Sequence, residues 1–349
     1  MNKTIAFHLN HMSERGTEVS IFNYAKYNQT LLGNKSIIIV NRKKVFNSLE
    51  KFLIDILVKF NFANKNKVKL FSKRQRSTFL KFTENFKVFF YDNPREIDLI
   101  CRENKVDYFY AQKYGIVDSV FSNYCKNLIH VIFMAKEPHG DKYLYISEWL
   151  SKKMTGDSKN YVPYIVDSKS IDYDGNLRKQ LNIPDQHIVI SSYGGKKVFD
   201  IPFVKEAIKE VLDLRNDIVF MFLNIEPFFK HSRIHFLPRS VDLKQKSQFI
   251  NTSDYMIHAR LRGETFGLAI AEFSIKNKPI ITYSNSPEKA HLEMLGDKSL
   301  NYSSKEDLIK ILINLKKSPS QPKENFFDCY SEKFNPKTVM KLFEERFLK

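Results

Sequence analysis

The chain has 349 residues, enough for two hydrophobic cores of about 150 residues each. Its 43% hydrophobic content, with only 11 Gly and 12 Pro, excludes fibrous and low-complexity classes. The net charge of +17 predicts attraction to phosphates, anionic lipid head groups or nucleic acid without choosing among them, and no helix-turn-helix, RNP or zinc-finger pattern supports the last.

Thr4 to Leu9 has the pattern of a strand, Val19 to Tyr27 of a helix and Ser36 to Val40 of a second strand, an order that implies a parallel sheet with a right-handed crossover. Phe46 to Phe60 has helical periodicity, Lys87 to Tyr91 is strand-like, and Pro94 to Glu103 reads as a helix capped by Asn93. Phe60 to Asn85 mixes cations with aromatics, which suits an anionic membrane surface and equally a basic helix and loop in water. Asp107 to Ala111 and Leu128 to Phe133 add strands, and Tyr143 to Ile146 leads into Ser147, a cap for a helix carrying Glu148, Trp149 and Leu150. After Tyr161-Val162-Pro163 the pattern restarts. Strands are expected at Ile188 to Ser192, Ile218 to Leu223, His235 to Leu237, Tyr255 to Ala259 and Pro279 to Tyr283. Helices are expected at Pro202 to Arg215, Leu243 to Asn251, from Thr265 onward, at Lys305 to Leu315 and at Pro336 to Leu348. Ser318 to Lys323 is a proline-containing linker. The boundaries are residues 1–165 for a first domain, 166–330 for a second and 331–349 for a terminal helix.

In open α/β sheets ligands bind beyond the carboxyl ends of the strands, so loops after strands hold the candidate site residues. The most informative is the segment around Glu264 and Glu272. A short apolar strand precedes Glu264, and Thr265-Phe266-Gly267-Leu268 open a helix whose free N–H groups suit a diphosphate. The same spacing recurs at Glu324 and Glu332, among prolines and with no strand before it, and is assigned no role. Arg260 and Arg262 flank Leu261 just upstream. One is expected to order the loop and the other to meet a ligand. After Ile188 to Ser192, Gly194-Gly195-Lys196-Lys197 places a glycine pair beside two cations, either a phosphate cradle or a glycine turn with solvated lysines. In the first loop, Arg15 and Gly16 precede a helix. His139, in the loop after Phe133, suits a general base or a sugar contact, whereas His130, within the strand, suits a hydrogen-bonded core histidine. HExxH is absent and the close histidine pairs lack a third ligand, so no metal is expected. Cys101, Cys125 and Cys329 are isolated from one another, which predicts neither a zinc site nor a disulfide framework and fits a reducing cytoplasm. No apolar run suggests a signal peptide or a membrane span, so the chain is expected to be soluble and cytoplasmic, with peripheral membrane contact a further expectation.

On Glu264 to Leu268 through Glu272 with Lys278-Pro279-Ile280-Ile281, and less specifically on Glu14 to Glu18, Tyr145 to Leu150, Tyr161 to Pro163 and Gly194 to Lys197, the chain resembles a retaining GT-B glycosyltransferase of the family 4 type over nearly its full length. The resemblance implies an α/β fold of two facing Rossmann-like domains, acceptor site mainly in the first and nucleotide-sugar site in the second, with a C-terminal helix crossing back to the first. It implies that Glu264 holds donor-sugar hydroxyls, Glu272 the ribose, the amides of Thr265 to Leu268 and Lys197 the diphosphate, and Arg239 marks where the base is met. The arginine usual beside the lysine is replaced by Gly195 or Lys196, and the first-loop double glycine is missing, which leaves Arg15 and Gly16 as the phosphate contacts there. No cofactor is implied beyond a nucleoside-diphosphate sugar as co-substrate, and the acceptor is a hydroxyl on a glycan, lipid or protein. A catalytically silent scaffold that binds a glycan or a partner, and a polyanion-binding α/β protein, are the competing expectations.

Overall fold

The computed structural model describes residues 2–12, 16–45, 76–240, 242–317 and 326–349 of the chain. The helix expected over Phe46 to Phe60, the linker Ser318 to Lys323 and most of the basic stretch Phe60 to Asn85 lie outside the described residues. The chain forms two compact units, one of Met1–Ile165 with Pro336–Lys349 and one of Val166–Asn335.

The first unit holds six parallel strands: β1 (Thr4–Leu9), β2 (Lys35–Asn41), β3 (Lys87–Tyr91), β4 (Tyr108–Lys113), β5 (Lys126–Val131) and β6 (Lys142–Tyr145), in spatial order β3-β2-β1-β4-β5-β6. The second holds β7 (Ile188–Tyr193), β8 (Ile218–Leu223), β9 (Ile234–Leu237), β10 (Tyr255–His258), β12 (Ile280–Tyr283) and β14 (Leu300–Tyr302), in order β14-β12-β10-β7-β8-β9. A short parallel pair, β11 (Gly263–Glu264) with β13 (Glu288–Lys289), stands apart from that sheet. Runs such as Ile37 to Val40 and Ile218 to Leu223 are apolar at successive positions because helices cover both faces of a parallel sheet. Each fully buried Ile or Phe there contributes about 1.5–3 kcal/mol.

Both sheets reverse their strand order once. In the first, the winding runs outward from β1 through β2 and β3 on one side and from β4 through β6 on the other; in the second, β7-β8-β9 and β10-β12-β14 do the same. Such a reversal leaves the loops after the two central strands with no crossover lying over them, so they diverge and open a crevice.

The helix expected to start at Pro94 begins at Glu96. Asn93 and Pro94 form the turn before it, with the Asn93 side chain accepting from the Arg95 N–H. The connection from β4 to β5, residues 114–125, carries no helix. Among the described residues no helix is long and apolar enough to cross a membrane.

The chain returns to the first unit through the helix Pro336–Phe343 and a π turn over Glu344–Leu348. Phe343 packs on Tyr24, Tyr110 and Phe7 with ring centroids 5.2, 5.6 and 6.5 Å away, and Phe347 packs on Tyr110 and His130. The polar edges of this aromatic cluster are satisfied. His130 Nε2 donates to the Val162 carbonyl at 2.7 Å, which leaves Nδ1 to accept from the Tyr110 hydroxyl at 2.6 Å, and Gln112 donates to that hydroxyl in turn. His130 is thus a core histidine, and burial pushes its pKa down to about 4. Lys3 Nζ and the Tyr108 hydroxyl both donate to the Leu348 carbonyl. Removing the Phe343 ring leaves a cavity amid rigid aromatics. Phe343→Ala is expected to lower unfolding free energy by about 3–5 kcal/mol, read as a shifted urea midpoint, and a loss under 1 kcal/mol would show that the helix is not needed by this core.

Candidate functional site

The second unit gathers Gly194 to Lys197 and Arg260 to Leu268 at the reversal between β7 and β10, whereas Arg239 follows the edge strand β9. Strands β7 and β10 are hydrogen-bonded neighbours, so the loops at their carboxyl ends emerge side by side. Asp200 ties them together: its N–H donates to the Ala259 carbonyl at 3.0 Å, and its Oδ1 accepts from the Leu261 N–H at 2.7 Å. One loop carries Gly194, Gly195, Lys196 and Lys197, and the other carries Arg260 to Leu268. A Cβ on Gly194 would meet Val198 Cγ2 at 2.6 Å, so that position has no room for a side chain in the turn closed by the Val198 N–H on the Gly195 carbonyl. Lys196 and Lys197 are exposed at its tip.

Glu264 is held from two sides. Arg260 Nη1 donates to Oε2 at 2.9 Å, and His258 Nε2 lies 3.5 Å from Oε1. Burial works to raise the Glu264 pKa, but His258 and Arg260 outweigh it and hold the carboxyl down to about 2, so the group is an anion in any physiological solvent. Behind it, His258 Nδ1 meets the Thr282 hydroxyl at 3.0 Å, the same hydroxyl lies 3.2 Å from His291 Nε2, and the two imidazoles stand 4.8 Å apart. Burial, helped by the neighbouring His258, pushes the His291 pKa down to about 3. The network ends on β14, whose Tyr302 hydroxyl donates to the His258 carbonyl.

Glu264 was expected in a loop. It lies in the two-residue strand β11, because Gly263 takes φ +78° and aligns the chain with Glu288–Lys289. The buried Glu288 accepts from Arg262 Nε at 2.7 Å. Of the two arginines, Arg260 therefore orders Glu264, and Arg262 pins β13. The helix begins at Leu268, three residues later than expected, with Gly267 at φ +89° before it. Thr265 and Phe266 are buried, and Phe266 packs on Tyr330 and Phe334, so these two offer a ligand their backbone only. Glu272, on the helix Leu268–Ser274, pairs with Lys246 at 2.6 Å. Arg239 lies exposed in the loop after β9.

In the first unit, Gly16 opens the helix Gly16–Thr30, and Arg15 lies outside the described residues. His139 sits in the loop after β5, where Nδ1 donates to the Glu137 carbonyl at 2.7 Å. Nε2 is covered by protein and has no hydrogen-bond partner among the described residues. Among the described residues no group of three or more His, Cys, Asp or Glu is placed to hold a metal ion. Asp200, His258, His291, Glu288 and Lys246 were missed from sequence. His258, the last residue of a buried strand leading into the loop, and Asp200, three residues after Lys197, lie beside predicted site residues in sequence; the others reach the site across the fold.

A Cβ at position 263 would lie 2.0 Å from the Glu288 carbonyl oxygen at a φ that L-residues avoid. Gly263→Ala is therefore expected to cost more than about 2 kcal/mol and to lower the melting temperature, and an unchanged melting temperature would refute the tight β11–β13 approach. A buried histidine with a folded pKa of about 3 takes up its proton only on unfolding, so its contribution is intact above the unfolded value of about 6.5 and is lost as pH falls toward 3. Glu264 has the same sign in a lower window, between about 4.3 and 2. The drop in unfolding free energy between pH 7 and pH 5 should accordingly shrink by about 2 kcal/mol in His291→Gln. An unaltered drop would mean that His291 is protonated in the fold.

No family model and no curated protein matches the sequence. Solved structures match its fold. HepE of Anabaena, in complex with UDP-glucose, aligns over 98% of this chain and 98% of its own with a TM-score of 0.68 at 12% identity. Sucrose-phosphate synthase from Thermosynechococcus elongatus aligns over 99% and 100% with 0.64 at 10% identity. A UDP-N-acetylglucosamine 2-epimerase from Listeria monocytogenes, itself so described putatively, aligns over 98% and 94% with 0.55 at 10% identity. The chain thus has an α/β fold of two parallel six-stranded sheets that matches the GT-B fold.

Proposed function

We propose that this chain is a glycosyltransferase that moves a sugar from a nucleoside-diphosphate sugar to an acceptor hydroxyl on a glycan, lipid or protein. The observation that carries the reading is the joining, through Asp200, of the glycine–lysine loop after β7 to the Glu264 loop after β10, at the reversal of strand order where open α/β sheets bind ligands. Neighbours of the same fold with UDP-glucose or UDP bound support the donor class.

In this reading Glu264, fixed and ionised, accepts hydrogen bonds from the donor sugar's hydroxyls. The backbone of Thr265 to Leu268 and the cations of Lys196 and Lys197 take the diphosphate as charge develops on it. Glu272 reaches the ribose, with Lys246 setting its carboxylate, and the backbone near Arg239 meets the base. The departing diphosphate and the oxocarbenium-like sugar need charge stabilisation rather than a protein nucleophile. The acceptor then attacks from the leaving-group face with retention and without metal. Arg15 and Gly16 remain the first-loop phosphate contacts that the resemblance implies, and His139 serves the acceptor side. Replacement of the usual phosphate-binding arginine by Gly195 or Lys196 places more of the clamp on the two lysines.

A thermal-shift and calorimetric screen against UDP, GDP, ADP, CDP and their sugar conjugates tests the donor site. One nucleotide at about 100 times its Kd should stabilise the protein by about 2.7 kcal/mol, and Glu272→Ala should weaken it at least tenfold. Glu264→Gln should keep nucleoside-diphosphate binding and lose transfer. No response to any nucleotide would favour the silent scaffold or polyanion binder, and conversion of the donor to its epimer with no acceptor product would replace transfer by epimerisation.

A further inference from the structure

Two cysteines far apart in sequence meet in the first unit, against the expectation that all three are isolated. Cys101, on the helix Glu96–Glu103, is fully buried in a cluster with Ala6, Ile37, Ile39 and Phe109. Cys125 ends the helix-free connection 114–125 and packs against that same cluster, near enough for its thiol to perturb that of Cys101. Unlike Cys101, Cys125 is partly exposed and lines an open depression of about 570 Å³ with Lys3, Asp107, Tyr124 and Lys126. One thiol is therefore reachable from solvent and the other waits behind it.

We propose that Cys101 and Cys125 form a thiol–disulfide exchange site for small-molecule disulfides, with Cys125 the attacking sulfur and Cys101 the resolving one. The Cys125 thiolate attacks one sulfur of the small disulfide, forming a mixed disulfide and releasing one small thiolate. Cys101 then gives its proton to that thiolate and attacks the Cys125 sulfur, releasing the second small thiolate, which takes a proton from solvent. The net change oxidises two protein thiols to one disulfide and reduces one small disulfide to two thiols. Exposure suits this order, since Cys125 is the partly exposed thiol and Cys101 the fully buried one. Cys329, in the second unit, has its thiol pushed up by burial and no such partner thiol.

The test is incubation of the native full-length protein with oxidised glutathione, followed by intact mass and non-reducing peptide mapping. The expected product is two hydrogens lighter than the reduced chain, with the Cys101 and Cys125 peptides joined and Cys329 free. In Cys101→Ser, checked for folding by near-ultraviolet circular dichroism, the glutathione adduct on Cys125 should accumulate at least tenfold over wild type. A wild-type protein that keeps glutathione on Cys125, or that reacts only at Cys329, overturns the proposal. The wild-type map decides alone if the variant does not fold.

Discussion

The reversal of strand order between β7 and β10 is the constraint on which the candidate site depends. Two neighbouring parallel strands whose crossovers wind away in opposite directions leave their following loops uncovered, and polar backbone is then free to meet a ligand. That freedom has to be disciplined, because loops without a crossover above them otherwise drift. Here the discipline is local and polar. Asp200, in the loop after β7, bonds the loop after β10, the β11–β13 pair gives Glu264 a strand's rigidity, and Arg262 with the buried Glu288 locks that pair.

Charge follows the same logic. A carboxylate at the mouth of a protein sheet loses hydration, and here a guanidinium and an imidazole replace it, so the balance favours the anion. The layer behind is arranged the other way: His291 is buried and held neutral, and the Thr282 hydroxyl stands between its ring and that of His258. The anion in front and the neutral ring behind differ because His258 and Arg260 outweigh burial at the carboxylate, whereas burial, aided by His258, dominates at the ring.

Much of this was legible in the chain itself. Strands such as Ile37 to Val40 announce themselves by continuous β-branched residues, and the unit around Glu264 announces itself by an apolar strand, a glycine-bearing loop and a helical period in succession. The α/β class and the place of Glu264 beyond a buried strand follow from those local patterns, while the central position of that strand comes from the sheet order. The start of the helix at Leu268 did not, because Gly267 adopts a left-handed conformation that composition permits without requiring. Nor did Asp200, Glu288 and His291, which look like ordinary loop or helix residues until the sheet order brings them together. Cys101 and Cys125 were misread for the same reason: spacing rules for thiols describe neighbours along a chain, and these two become neighbours only through the packing of a helix against a connection that lacks one.

The return of residues 336–349 to the first unit has a consequence for synthesis on the ribosome. Phe343 and Phe347 complete an aromatic cluster whose other rings, at Phe7, Tyr24, Tyr110 and His130, are translated long before. All of Val166–Asn335 must be made in the interval, which at ordinary translation rates occupies roughly 10–30 s. During that time the nascent first unit carries an open apolar seat, and the second unit can finish folding before it. The order of completion is then the reverse of the order of synthesis, and nascent-chain chaperones would have their longest access to the seat that the terminal helix eventually fills.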